Sequence, residues 1–313
     1  MKHLITTAAA VLLSTNAAFA EWAPTGPIKV LIGFAPGGGA DSLARLIAED
    51  VQETYNWTMI PENMPGAGGA VMARAVMEAE PDGLTIGIGI TDTFAYGVLA
   101  TRDPGYSTDD LTYLSTIAGT QMGIVAKSDR GWNTMSDVIA AAKSGETISF
   151  GTMTPRLADG AYYIGLANDV EFNIVSGYQG GRAVLNAVTA DDVDIGWVAG
   201  PQKAGVVSGD LVNLANGEDV PLAVSPNAQN LSDIGVEFSF GATFVAIAPN
   251  DLSDDARTAL SDAISTVIQK EGSKSNAFIT RVFALKVKSG DAAKSYVNKE
   301  LADAEALLAA TSN

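Results

Sequence analysis

The segment FAPGGGAD at residues 34–41 joins an apolar strand to an amphipathic helix. The strand is IKVLIGF at 28–34, and the helix is SLARLIAEDVQETY at 42–55, whose leucine, isoleucine and valine residues recur at helical spacing. Strand, glycine-rich turn and helix in this order open an α/β unit, so this segment decides the fold class. Glycines at the start of a helix also leave backbone N–H groups directed at any nearby anion.

The glycine run fits neither common nucleotide motif. Ala40, Asp41 and Ser42 follow Gly39, so the lysine of a phosphate-binding P-loop is absent. Ser42 also occupies the position of the last glycine in G-x-G-x-x-G. A carboxylate suits such amides as well as a phosphate does. The alternative is a purely structural turn with Asp41 as the helix N-cap.

The first twenty residues have the pattern of a signal peptide. Lys2 precedes an apolar run at 4–13, and Ala18-Phe19-Ala20 matches a signal peptidase site. The run is too short to span a bilayer, and no later stretch reaches about 18 uninterrupted apolar residues. We expect cleavage after Ala20 and export to the periplasm.

The rest of the chain lacks two residue types on which much enzyme chemistry depends. His3 is the only histidine and there is no cysteine, so the mature chain has neither imidazole nor thiol. This excludes Ser-His-Asp and Cys-His catalysis, zinc sites of the usual kind, and disulfides. We expect no metal, no cofactor and no enzymatic activity. Stability without crosslinks needs a large core, which 313 residues at 47% apolar composition can supply.

The protein is strongly acidic. The formal net charge is −17, and loss of Lys2 with the signal peptide makes it −18. Such a surface repels nucleic acid and anionic lipid. A small anion is affected less, because salt screens surface charge beyond about 8 Å and a buried site is governed by its own donors.

Strands and helices alternate along the chain, which predicts two α/β lobes. A second unit begins near Gly123, and strand character returns at 240–249. Two amphipathic helices follow, at 254–271 and 292–309, and both are expected to pack on the first lobe.

Three motifs in register give the chain a family resemblance that covers nearly all of it. KVLIGFAPGGGADSLARLIAE at 29–49, PENMPGAGGAVMARAV at 61–76 and EPDGLTIGIG at 80–89 resemble the periplasmic receptors of tripartite tricarboxylate transporters, also called Bug receptors. The segment 213–241 departs from the family pattern.

The resemblance implies a Venus-flytrap receptor in which each lobe is a mostly parallel sheet flanked by helices. It implies a signal peptide at 1–20, lobe 1 at 21–122 and 243–313, and lobe 2 at 123–242. Such a receptor is expected to be a monomer that closes on a small carboxylate, either a di- or tricarboxylate or an aromatic one. It delivers this ligand to integral-membrane permease subunits.

The resemblance also implies ligand contacts from both lobes. In the first lobe they are Phe34, Ala35, Gly37, Gly38, Gly39, Asp41, Thr91, Asp92, Thr93 and Phe94. In the second lobe they are Thr152, Met153, Tyr178, Gly180, Gly181 and Trp197, and the residues that depart from the family pattern there, Arg156 and Arg182, are further candidates.

Several of these residues have competing roles. Arg156 and Arg182 stand where the family usually has small residues, and each is either a bidentate partner for a carboxylate or an ordinary surface ion pair. Trp197 either stacks on a flat ligand or belongs to the core. Asp41 suits an N-cap or water-holding role better than direct contact with an anion. The second glycine loop, at 64–69, is expected to be a close-packing turn rather than an anion site.

Two other functions use the same sequence features. A secreted hydrolase would have to rely on Ser-Lys chemistry or paired carboxylates, although no G-x-S-x-G elbow is present. A sensory receptor that presents its ligand to a membrane kinase would share the cleft and differ only in its partner.

Overall fold

The computed structural model describes residues 22–311. The predicted signal peptide lies outside this range. Within it, no helix is both long and apolar enough to cross a membrane.

Strands and helices alternate through most of the chain, as the sequence predicts. The strands are β1 (Ile28–Ile32), β2 (Met59–Asn63), β3 (Thr85–Ile90), β4 (Leu111–Gly119), β5 (Met122–Lys127), β6 (Ser149–Gly151), β7 (Asn173–Val175), β8 (Ile195–Ala199), β9 (Leu211–Asn216), β10 (Gln229–Asn230), β11 (Thr243–Pro249) and β12 (Ala284–Leu285). The α-helices are α1 (Gly39–Tyr55), α2 (Ala70–Met77), α3 (Thr91–Phe94), α4 (Tyr96–Ala100), α5 (Met135–Lys143), α6 (Pro155–Ala167), α7 (Gly181–Thr189), α8 (Lys203–Ser208), α9 (Asp254–Gln269), α10 (Lys274–Val282) and α11 (Asp291–Thr311).

Two six-stranded sheets form the two lobes. The first has the order β12-β4-β11-β3-β1-β2, and the second has the order β10-β9-β5-β8-β6-β7. Both are flanked by helices, as predicted. They are mixed rather than mostly parallel: β11 is antiparallel to β3 and β4, and β5 is antiparallel to β8 and β9. The cause is topological. The strands β5 and β11 are the first ones after the chain crosses from one sheet to the other, and each is inserted between two strands of the sheet that it joins.

Helices bury both faces of the first sheet. One face packs against α1, α9 and α10 through residues such as Leu43, Leu260 and Ile279. The other packs against α2 and the start of α11, where Met72 and Val297 are fully buried. Several helices begin with a side-chain cap that the sequence supplies, as at α5, where Thr134 accepts from the N–H of Asp137.

The last helix does not pack on the first lobe alone, which corrects our expectation. Ala293 and Val297 of α11 lie in the core of the first lobe, but Ala304 and Leu307 lie in the core of the second. At 21 residues, α11 is about 30 Å long, enough to span both lobes.

The chain segments that cross between the lobes are tied to one another. The N–H of Thr120, which follows β4, donates to the carbonyl of Ala242 at 2.8 Å, and the N–H of Ala242 donates to Thr120 Oγ1 at 2.8 Å. Glu218 Oε1 accepts from the N–H of Met122 at 2.7 Å and from Thr120 Oγ1 at 3.0 Å. Burial raises the pKa of Glu218 to about 7, although these hydrogen bonds oppose the shift.

Glu218 should make the stability of the fold depend on pH. Its pKa is about 7 in the folded chain against an ordinary 4.5, so between these values the folded state binds more protons than the unfolded state. Its contribution to the free energy of unfolding therefore falls by about 2 to 3 kcal/mol as pH rises from 4.5 to 7. Glu218→Gln should remove this part of the slope, as measured by urea unfolding at pH 4.5 and 7.5.

The same exchange at Glu271, which is exposed on the surface, provides the control. If the free energy of unfolding of Glu218→Gln depends on pH in the same way as that of Glu271→Gln and the wild type, Glu218 does not titrate as expected.

Candidate functional site

A cleft of about 1490 Å³ lies between the two lobes. Loops that precede helices of both lobes line it, together with apolar residues near the crossover segments. Those of the first lobe lie at 33–40 and 65–68, and those of the second lie at 153–155 and 176–183. The lobes also touch beside the crossover, where Lys203 Nζ donates to the carbonyl of Arg281 at 2.8 Å.

The first glycine loop presents free backbone donors to the cleft. Gly38 is the N-cap of α1 and provides no side-chain acceptor. The N–H groups of Gly38, Gly39 and Ala40 have no hydrogen-bond partner within residues 22–311. The first N–H groups of any helix lack intrahelical acceptors, and the helix dipole adds positive potential there. This end of α1 can therefore hold an anion.

Asp41 is not the N-cap of α1, which corrects one of its expected roles. It lies in the first turn and turns back, so that Oδ2 accepts from the N–H of Gly37 at 2.9 Å and Oδ1 accepts from Arg45 and Asn63. Burial favours a higher pKa for Asp41, but these hydrogen bonds prevail and the pKa is lowered. Asp41 does not line the cleft, and it holds the loop in place instead.

The second lobe presents a similar loop. Gly180, with φ of 107°, is the N-cap of α7 and again provides no side-chain acceptor. The N–H groups of Gly181 and Arg182 have no hydrogen-bond partner within 22–311. The exposed side chain of Arg182 lines the cleft and has neither an ion pair nor a hydrogen bond among the described residues.

The structure brings most of the predicted contact residues to the cleft. Those that line it are Phe34, Ala35, Gly37, Gly38, Gly39, Asp92, Met153, Tyr178, Gly180, Gly181 and Arg182. Those that do not line it are Asp41, Thr91, Thr93, Phe94, Thr152, Arg156 and Trp197.

Four of the residues that do not line the cleft are buried, and they contact other residues close to the cleft wall. Thr91 Oγ1 accepts from the N–H of Thr243, and Thr93 Oγ1 donates to the carbonyl of Gly68 at 2.7 Å. Thr152 bonds to Ser176, and Phe94 packs edge-to-face on Tyr113. The sequence could not separate them from true lining residues, because they are close neighbours of lining residues along the chain.

Arg156 does not line the cleft, contrary to the ligand contact expected of it. It is 5% exposed and forms an ion pair with Asp92 of the first lobe at 3.1 Å. It also donates to the carbonyls of Ser239 and Gly241. Burial raises the pKa of Asp92 although the nearby Arg156 opposes the shift. The Asp92–Arg156 pair therefore joins the two lobes and is already satisfied without a ligand.

Trp197 belongs to the core of the second lobe, so the stacking role expected of it is not available. It is 0% exposed, and its ring lies 5.7 Å from that of Phe150 and 5.1 Å from that of Phe240. Its indole N–H donates to the carbonyl of Leu157 at 3.0 Å. Trp197 lies in β8, and the sequence of this strand does not show which of its two faces is buried.

Sequence reasoning missed several lining residues. The loop at 64–69, expected to be a packing turn, contributes residues 65–68 to the cleft wall. Phe244, Phe278 and Phe283 also line the cleft, although their elements lie far along the chain from both glycine loops. No local pattern marks these three rings, because only tertiary packing brings them together. Within residues 22–311, no cluster of three or more histidine, cysteine, aspartate or glutamate side chains is arranged to hold a metal ion.

This architecture is the two-lobed fold seen in periplasmic binding proteins. A Rhodopseudomonas palustris protein, Rpa4515, solved with adipate, superposes with a TM-score of 0.82 at 21% identity, covering 92% of this chain and 98% of that one. MatC from the same species, with bound malate, superposes with a TM-score of 0.79 at 20% identity, covering 91% and 99%. The periplasmic binding protein BugD has a TM-score of 0.79 at 20% identity, covering 93% and 99%.

The sequence itself fixes the family. Residues 43–283 match the model of the tripartite tricarboxylate transporter family receptor, so the chain belongs to that family. A UPF0065 protein of Bordetella pertussis is 26% identical over 266 residues, covering 81% of this chain and 80% of that protein. A UPF0065 protein of Agrobacterium vitis is 35% identical over 135 residues, covering 41% and 38%.

Loss of one partner of the Asp92–Arg156 pair should be costly. Arg156→Met leaves Asp92 buried without its counter-charge, and we expect the free energy of unfolding to fall by about 3 to 5 kcal/mol in urea at pH 7. The double variant Asp92→Asn/Arg156→Met should recover a large part of that loss. Arg257→Met, which removes an exposed ion pair with Asp254, is the control and should change stability by less than about 1 kcal/mol. Equal losses of unfolding free energy in Arg156→Met and Arg257→Met would contradict the role of Asp92–Arg156 as a buried ion pair.

Trp197 should act on stability through the core. Trp197→Phe loses the indole hydrogen bond and leaves a void, so we expect a loss of about 2 to 3 kcal/mol in urea unfolding. Trp57→Phe, at a half-buried surface position, is the matched control and should cost clearly less. A Trp197→Phe variant as stable as Trp57→Phe would argue against the core role.

Proposed function

We propose that this protein is an extracytoplasmic solute receptor that binds a small carboxylate in the interlobe cleft. In this proposal lobe 1 comprises residues 21–122 and 243–313, and lobe 2 comprises 123–242. A signal peptide cleaved after Ala20 directs the chain to the periplasm. The receptor acts as a monomer, has no catalytic activity, and delivers its ligand to permease subunits of a tripartite tricarboxylate transporter.

One observation carries the proposal: two uncapped helix N-termini from opposite lobes line the same cleft. Most other helices of comparable length begin with a side-chain acceptor, as α5, α6, α9 and α10 do with Thr134, Thr154, Ser253 and Ser273. The helices α1 and α7 begin instead at Gly38 and Gly180, which have none. Their free N–H groups suit an acceptor-only ligand such as a carboxylate.

The available donors are sufficient for useful affinity. A hydrogen bond to an ionised group contributes about 1.5 to 3 kcal/mol, so four or five of them can support micromolar binding, about −8 kcal/mol, after some ordering cost. The free N–H groups of Gly38, Gly39, Ala40, Gly181 and Arg182 make up such a set. Adipate and malate, bound by two structural neighbours, support the same ligand class.

The proposal is tested by a thermal-shift screen of carboxylates on the purified protein. A ligand at 100 times its Kd raises the stability of the native state by about 2.7 kcal/mol, which is easily measured. If no carboxylate stabilises the protein at millimolar concentration, the proposal fails. Conversion of a bound ligand into product would favour a secreted hydrolase. Adjacent genes for a membrane kinase without a permease would favour a sensory receptor.

Arg182 should contribute to binding through its charge. Arg182→Ala should weaken the binding of any carboxylate found in the screen about tenfold, because a guanidinium donates two hydrogen bonds to a carboxylate. The ligand's amide should be affected much less, as measured by calorimetric titration. Arg102→Ala removes the same charge outside the cleft and is the matched control. Equal weakening by both variants, or of both acid and amide, would remove Arg182 from the site.

A further inference from the structure

Three phenylalanine rings form an apolar wall beside the start of α1. The ring centroids of Phe244 and Phe283 are 4.9 Å apart, and those of Phe278 and Phe283 are 5.8 Å apart. All three residues line the cleft. A Cβ atom placed on Gly39 would lie 2.8 Å from Phe283 and 3.2 Å from Phe244. The rings therefore adjoin the free N–H groups at the α1 terminus, and this contact requires glycine at 39.

The second lobe places polarisable side chains on the same cleft. Met153 and Tyr178 line it beside the start of α7, and Met122 lines it near the crossover. The Met153 methyl lies 3.7 Å from the position of a Cβ on Gly181, so it adjoins the second set of free N–H groups. Thioethers make favourable contacts with aromatic rings and adapt to their shape. Both anion-binding helix ends are thus bordered by groups suited to a flat apolar surface.

The buried part of the cleft offers no free positive charge to a second acid group. Its charged residues are Asp92, which is paired with Arg156, and Asp159, which accepts from the Tyr96 hydroxyl. Among the described residues, the basic side chains that line the cleft are Arg182, Lys203 and Arg281, and all three are exposed. A carboxylate at the buried end would meet apolar surface and a second carboxylate, which is unfavourable.

We propose that the preferred ligand is an aromatic carboxylate with its acid group at one end. The acid group is held by the N–H groups of α1 and α7 together with Arg182. The ring lies between the wall of Phe244, Phe278 and Phe283 and the methionines of the second lobe. This inference rests on the proposed function and specifies its ligand class.

Calorimetric titration of the purified protein with acids of different shape tests the inference. The aromatic probes are benzoate, 4-methylbenzoate and cinnamate, and the comparison ligands are adipate, malate and cyclohexanecarboxylate. At least one aromatic acid should bind about tenfold more tightly than adipate and malate, and benzoate should bind more tightly than cyclohexanecarboxylate. The amide of the tightest acid should bind at least about tenfold more weakly, because it cannot accept as an anion.

Phe→Leu variants of the wall show whether affinity depends on contact with an aromatic ring or only on apolar surface. Phe278 is half-buried, so Phe278→Leu should fold normally and weaken the binding of aromatic acids about three- to tenfold, and weaken that of adipate clearly less. Phe244→Leu provides a second test of the wall. Phe238→Leu makes the same exchange outside the cleft, where the ring packs on Tyr163, and should leave all affinities unchanged.

The outcomes distinguish this inference from the proposed function. Tighter binding of adipate or malate than of every aromatic acid overturns the inference and leaves the receptor function intact. Equal effects of Phe278→Leu and Phe238→Leu on aromatic acids also overturn it. Absence of binding by every carboxylate overturns the receptor function, and the inference with it.

Discussion

Unsatisfied backbone N–H groups at the starts of α1 and α7 are the constraint on which the rest of the cleft depends. The N-caps Gly38 and Gly180 are half-buried and have no side chain that could accept from these N–H groups, so water or a ligand has to do so. Asp41 could have capped its own helix but instead holds Gly37, Arg45 and Asn63, which leaves the α1 donors free. An anion is the kind of group that such N–H donors suit, which is why both helix ends belong to the proposed binding site.

The elements behind the cleft keep the two lobes in a fixed relation. The Asp92–Arg156 pair and the bonds among Thr120, Glu218 and Ala242 lie where the chain crosses between the sheets. The helix α11 reinforces this region by packing on both cores. These contacts are polar and largely buried, so they are specific in geometry and sensitive to the loss of either partner.

Much of the architecture was predictable because hydrophobic periodicity is a local signal. The helix predicted at 254–271 is α9, which ends two residues earlier, and the strand character predicted at 240–249 ends at the same residue as β11. The strands β4 and β9 were missed, because polar residues such as Ser115, Thr116, Asn213 and Asn216 interrupt their apolar pattern. These polar groups are buried, and the partner of Thr116 is remote in the sequence: Thr116 Oγ1 donates to the carbonyl of Lys286. No window of neighbouring residues contains such a partner.

The sequence by itself determined the class of the fold, the two glycine loops and the exclusion of imidazole and thiol chemistry. These features depend on residue identity and on short spacings along the chain, which the sequence shows directly. Only the tertiary structure decided which side chains face the cleft. It placed Trp197 in a core and Arg156 against Asp92, and it brought Phe244, Phe278 and Phe283 from distant elements to the start of α1. The physical reason is that a side chain's role depends on which face of its element is buried, and packing between remote segments sets that face.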